Sequence, residues 1–152
     1  KGGKFHRDSS VDELINIEKS LNLDKAETFL KFNKNITLVS KKLQKLVHNL
    51  KAQGKTIAGF GAPTKATTLM AHFNLDEKIL DFIVDDNPLK QGLFSPTSHI
   101  PIFSADELYT LRPDYVIVLA WNFAEPIMKA HQKYSQEIGK FIIPMPSPRI
   151  VE

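Results

Sequence analysis

The sequence predicts an α/β domain, a three-layer sandwich on about five mainly parallel strands, preceded by a helical lead-in with one long amphipathic helix. Two observations predict it. From Lys55 onwards, short apolar runs alternate with helical ones; strands that are apolar on both faces need helices above and below, which favours parallel pairing. Within that alternation the glycine turn "GFGAPTK" joins the first apolar run to the first helical one, where a Rossmann-like domain turns from strand to helix.

The elements follow in order. "KGGKFHRDSS", over 1–10, lacks an initiator Met and reads as the tail of a strand followed by a helix cap, as in a piece cut from a longer chain. Ser10 precedes "VDELINIEKSL", and Glu13 three positions on completes a capping-box pattern that starts a short helix. Asp24 opens a longer helix, which Gly54 ends. Along it Phe29, Phe32, Ile36, Val39, Leu43, Leu46 and Leu50 recur at alternating steps of three and four and share one face. At ~1.5 Å per residue the helix spans on the order of 45 Å, a length that suits either packing on its own domain or bracing a neighbouring one. Lys31, Lys34, Lys41, Lys42 and Lys45 form its solvated side. Residues 1–54 are thus the lead-in and residues 55–152 the α/β domain.

In that domain "KTIAGF" is a strand, "TKATTLMAHFN" a helix, and "ILDFIVDD" and "HIPIF" are strands. Ser104 caps a helix over "SADELYTL", "DYVIVLAW" is a strand, "FAEPIMKAHQKYS" a helix that Gly139 closes, and "KFIIPM" the last strand.

Composition narrows the function classes. The chain has 152 residues, 42% of them hydrophobic, enough for one globular domain with its own core. Absence of cysteine removes disulfides, thiolate metal sites and thiol redox chemistry, and leans the compartment towards the cytoplasm. A formal charge of +3 tolerates an anionic ligand without indicating nucleic acid. No apolar run approaches the ~20 residues of a membrane span, so neither nucleic acid nor membrane is an expected partner.

The glycine turn is the strongest chemical signal. Gly59 and Gly61 occupy the first two glycine places of a dinucleotide-binding turn, with Thr64 where the third glycine would be. In the strand-to-helix setting glycines let backbone N–H groups approach a phosphate, Pro63 suits the first helical turn, Lys65 offers a cation, and Thr64 or Thr67 a hydroxyl. The competing reading is a turn that merely packs. Asp85, 24 positions beyond Gly61 at the end of the next strand, stands where an acid in such folds meets a ribose hydroxyl. Asn87-Pro88 begins a turn and Gly92 suits a positive φ, either as an ordinary loop or as a ligand loop at the carboxyl edge of the sheet. Trp121 and Asn122 reach the same edge, as a stacking and hydrogen-bonding pair or as a buried Trp with a capping Asn. His6, His48, His72, His99 and His131 show no metal spacing and no nucleophile elbow exists, so neither catalytic nor metal residues are assigned.

Four strings, "GFGAPTKATTLM", "VDDNPLKQGLFSPTSHIPI", "PDYVIVLAWNFAEPIM" and "GKFIIPMPSPRI", in this order and at these spacings, closely resemble the C-terminal domain of sugar C-methyltransferases. The resemblance covers about the whole chain, with residues 11–53 matching the helical lead-in. Such enzymes use S-adenosylmethionine to methylate a ring carbon of a nucleotide-linked deoxysugar. The resemblance implies that a zinc-binding and a methyltransferase domain precede this one, that the methyltransferase domain holds the methyl donor and the catalytic acid and base, and that "KGGKF" is its last strand. No cofactor is expected on this chain. What the resemblance leaves to it is one wall of a cleft for the nucleotide-diphosphate sugar, with Gly59, Gly61, Ala62, Pro63, Lys65, Asp85, Asn87, Pro88, Trp121 and Asn122 facing the substrate. Two departures stand out: Ala66-Thr67 replaces a frequent Gly-Asn, and Asp86 a frequent basic residue. The turn and Asp85 also keep open a nicotinamide-dependent oxidoreductase domain, and the amphipathic helix a non-catalytic scaffold.

Overall fold

A computed structural model describes residue 3 and residues 8–151. The strand tail expected over 1–5 falls, but for Gly3, outside the described residues, as does His6. Contacts divide the chain into two compact units, Lys1–Leu38 and Val39–Glu152.

In the first unit α1 spans Ser9–Ser20, and α2, Ala26–Ala52, begins. Asp8, not Ser10, caps α1: its backbone is extended and its carboxylate accepts the Ser10 N–H at 3.0 Å. The acid two positions earlier takes the donor, so Ser10 lies inside the first turn. Between the helices Asn22 adopts a φ of 53°, and its carbonyl accepts from the Lys25 N–H at 3.1 Å and the Thr28 hydroxyl at 2.8 Å. That turn delays α2 until Ala26, two residues after the expected start. Phe29 and Phe32 are 56% and 62% exposed, so the first part of the apolar stripe is unburied.

In the second unit the stripe does bury. Ser40, Leu43, Val47 and Leu50 lie inside, and the Ser40 hydroxyl donates to the His72 carbonyl of α3 at 3.2 Å. Gly54 ends α2 as expected, with a φ of 74°. Its N–H reaches the Lys51 carbonyl at 2.9 Å, while the Lys55 N–H reaches Leu50 at 3.1 Å, a Schellman closure.

The strands are β1 Ile57–Phe60, β2 Phe82–Val84, β3 Ile102–Phe103, β4 Tyr115–Val118, β5 Lys140–Ile143 and β6 Arg149–Val151. They form one sheet in the order β3-β2-β1-β4-β5-β6. The first five are parallel, and β6 runs antiparallel to β5 along the edge. Parallel α/β architecture therefore holds, with a sixth strand that the sequence reading lacks. The helices are α3 Thr64–Phe73, α4 Glu107–Thr110, α5 Ala124–Ala130 and α6 Gln132–Glu137. On one face of the sheet Phe60, Val84, Val118, Phe141 and Ile143 pack with Leu108, Ala124 and Tyr134. Strand order reverses between β1 and β4, so the carboxyl ends of β1, β2 and β4 share one open edge.

Two expected helices differ. The Ser104 helix shrinks to Glu107–Thr110, with Asp106 at its cap and no side-chain cap bond; Ser104 contributes only its carbonyl, which accepts from the Glu107 N–H at 3.1 Å. The helix expected over 123–135 breaks at His131, which leaves helical geometry with φ −111° and ψ 32°. There its ring packs 5.0 Å from that of Phe60, and Nδ1 lies 3.1 Å from the Tyr109 hydroxyl.

At the opposite edge two carboxylates fasten the strand starts. Asp81 accepts the Ile57 N–H at 2.8 Å and pairs with Lys51 at 3.0 Å. Asp114 accepts from the Thr56 N–H and hydroxyl, each at 2.9 Å, and from Lys55 at 2.9 Å. The Lys55 and Thr56 hydrogen bonds draw the Asp114 pKa down to about 2.

Candidate functional site

The turn after β1 is built by two close approaches. Gly59 lies inside the strand, where a Cβ would stand 2.7 Å from Leu119 Cδ1 and 3.2 Å from Ile83 Cγ1, so its place is filled by neighbouring side chains. Gly61 has a φ of 88°, and a Cβ there would meet that of Ala120 at 2.8 Å. Its N–H donates to the Val84 carbonyl at 2.7 Å, turning the chain over the end of β2. Pro63 caps α3 with extended backbone and no side-chain bond.

Asp85 fixes the geometry of this edge. It is 7% exposed, and its carboxylate accepts from the Ala62 N–H at 2.6 Å, the Asn87 N–H at 2.8 Å and the Lys90 ammonium at 3.0 Å. Burial alone would raise its pKa, but these donors outweigh burial and hold the carboxyl below the ordinary aspartate value. The Gln91 side chain adds a bond to the Asp85 carbonyl at 3.0 Å. Asp85 thus ties the glycine turn to the β2 loop.

A cleft of about 270 Å³ opens beside it, lined by Gly61, Pro63, Lys65, Asp85, Lys90 and Phe123 among others. Lys65 Nζ sits 5.0 Å from the Trp121 ring centre and 5.4 Å from that of Phe123, a cation held by aromatic faces. Among the described residues it has no carboxylate partner. The structure therefore brings Gly61, Pro63, Lys65 and Asp85 to one cleft, with Trp121 against Lys65. Ala62 turns towards a neighbouring cavity. Asn87 and Pro88 are exposed on the β2 loop, where the Asn87 side chain accepts the Leu89 N–H at 3.0 Å. Asn122 is exposed beside Trp121. Gly92 has the expected positive φ, 80°.

Sequence reasoning did not find Lys90, Phe123 or Ile127, which also line the cleft. Lys90 is a single loop lysine with no periodic signal, and Phe123 and Ile127 read as parts of an ordinary amphipathic helix.

The C-methyltransferase C-terminal domain family matches residues 1–146. The chain belongs to this family. It is 36% identical over 142 residues to the C-methyltransferase NovU of Streptomyces niveus, a match that covers 93% of this chain and 34% of that protein. The chain thus spans about a third of the length of the relative it matches. In this C-methyltransferase C-terminal domain the residues that depart from the expected pattern line the two openings beside the turn: Asp86 the cleft, and Ala66 and Thr67 the neighbouring cavity.

Proposed function

We propose that this C-methyltransferase C-terminal domain helps to bind a nucleotide-linked deoxysugar, while a preceding methyltransferase domain of the same polypeptide supplies S-adenosylmethionine and the catalytic acid and base. The observation that carries the reading is Lys65, a cation without a carboxylate partner among the described residues, at the mouth of an open cleft on the carboxyl edge of a parallel sheet. A diphosphate placed there gains a charge-assisted bond, and the Trp121 and Phe123 rings that hold the ammonium leave its remaining donors for the anion. Gly61, Pro63 and Asp85 shape the wall, and Asn87, Pro88 and Asn122 present polar groups and backbone around it. The exposed apolar side chains of the lead-in, Leu14, Ile17, Phe29 and Phe32 among them, are what the preceding domain would cover.

A nicotinamide-dependent reading is weaker, because the Asp85 carboxylate that would meet a ribose diol already accepts three hydrogen bonds from this chain. Calorimetric titration with a dTDP-linked deoxysugar, dTDP and S-adenosylmethionine tests the proposal. Heat is expected from the first two. Tight binding of the methyl donor with none of the nucleotide-sugar would overturn it.

A further inference from the structure

The sheet ends differently on its two sides. Beside β3 the chain covers its own edge: the Gly92 N–H donates to the Ile102 carbonyl at 2.8 Å, the Ile102 N–H donates to the Leu93 carbonyl at 2.9 Å, and Phe94 bridges Pro101. β6, on the other side, is left bare. It is last in the sheet order, and among the described residues its outer N–H and C=O groups take no backbone partner. Such an edge is a template for one more strand.

A groove of about 420 Å³ runs beside that edge, between α5 and α6 and the strands β5 and β6. Buried Phe141 and half-buried Val151 form its floor, with Met128 against them, and the exposed side chains of Lys129, Gln132 and Gln136 form its rim. Side chains alternate along a strand, so Arg149 projects on the same sheet face as Val151. Its register partner Ile143 belongs, with Phe141, to the core beneath these helices. Among the described residues no carboxylate lines the groove, and neither Lys129 nor Arg149 has a carboxylate partner. The Gln132 and Gln136 amides are unpaired in the same sense. On the opposite face of β6 stands Ile150, 39% exposed.

These features select the occupant. A strand laid along β6 meets backbone groups over its length, two cations and two amides on the helix side, and an isoleucine on the other side, so it needs carboxylates at every second residue with apolar residues between. A second copy of β6 does not fit: paired about Ile150, it would set Arg149 diagonally across from its own counterpart, about 7–8 Å away, like charge beside like. A lone phosphate would meet the cations and leave the strand edge unused.

We infer that β6 and its groove form a docking surface for an acidic extended segment of a partner protein, which adds a seventh strand with its carboxylates towards Lys129 and Arg149. None of the groove residues lines the cleft or the neighbouring cavity, so the inference stands apart from the nucleotide-sugar reading.

The probe is the capped pentapeptide acetyl-Val-Glu-Val-Glu-Val-amide, titrated into the chain while backbone amide shifts are followed, with the lysine-for-glutamate peptide as its control. Saturable shifts are expected at Arg149, Ile150 and Val151 and along α6, with the control at least about tenfold weaker. Arg149→Glu and Lys129→Glu change exposed side chains and should keep the parent's circular dichroism. Each is expected to weaken the acidic peptide at least about tenfold, and Arg149→Glu to favour the lysine peptide instead. Absence of saturation up to about 10 mM peptide, equal binding of both peptides by the parent, or folded variants that bind the acidic peptide as the parent does would each overturn the inference. Shifts confined to Gly61, Lys65 and Lys90 would overturn it as well, since the peptide would then be an anion in the cleft. So would a concentration-dependent dimer in sedimentation that Arg149→Glu dissolves, because the edge would then belong to a second copy.

Discussion

At the scale of single residues the candidate site rests on two side chains, Lys65 and Asp85, and on the absence of one at Gly61. Lys65→Ala is expected to weaken nucleotide-sugar binding by about 1–3 kcal/mol, since it removes a charge-assisted bond to the diphosphate, and calorimetry measures it directly. Trp121 is the chain's one tryptophan and lies against Lys65, so the same substitution should also shift the intrinsic fluorescence. Gly61→Ala forces a Cβ against Ala120 at a φ of 88°, and should lower the unfolding free energy by about 1–3 kcal/mol in a urea titration. Asp85→Asn leaves Lys90 without its partner and is expected to cost about 1.5–3 kcal/mol, with ligand affinity falling alongside because the turn is no longer tied to the β2 loop. Unchanged unfolding for this variant would contradict the fastening role. The acid at the end of β2 was visible in the sequence from its spacing to the glycines. What it does there was not, because the Ala62 N–H that occupies it is a backbone group with no signature in residue type.

At the scale of elements, the apolar stripe of α2 reads as one continuous face in sequence and behaves as two in the fold. Leu43→Ala should cost about 2–5 kcal/mol, as its side chain is fully enclosed. Phe29→Ser with Phe32→Ser should leave the urea midpoint of the chain where it was, because both rings are already more than half exposed; a large loss of stability would contradict their unburied placement. Periodicity reports which residues share a helical side, and is silent on what covers that side. The same limit applies to the split at His131, where the residue that leaves helical geometry packs against the Phe60 ring and the Tyr109 hydroxyl, contacts far away in sequence that a local pattern does not report. Antiparallel β6 escaped notice because "SPRIV" is short and follows two prolines, the pattern of a loop. The parallel strands, by contrast, announced themselves as apolar runs enclosed on both faces.

At the scale of the whole molecule, carboxylates fasten both edges of the sheet: Asp81 and Asp114 at the strand starts, Asp85 at the carboxyl edge. The Asp114 and Asp85 carboxyls lie below their ordinary value in the folded chain, so each adds stability in full above the unfolded pKa of about 3.9 and loses it as pH falls through the folded value. Urea unfolding followed from neutral pH downwards should therefore show stability falling below about pH 4 and continuing towards about 2, where Asp114 protonates. A flat profile across that interval would contradict the pairing at both edges. The general frame and the glycine turn were legible because strand–turn–helix chemistry is local. The lining that cleft and neighbouring cavity share was not, since Pro63 and Lys90 come to the same edge only once β1 and β2 lie side by side. The most direct test of the account is a map of backbone amide and Trp121 indole N–H shifts as a dTDP-linked deoxysugar is added. Perturbations are expected at Gly61, Lys65, Lys90 and Trp121, along the carboxyl edge of β1, β2 and β4; shifts confined to Thr56, Asp81 and Asp114 at the opposite edge would contradict it.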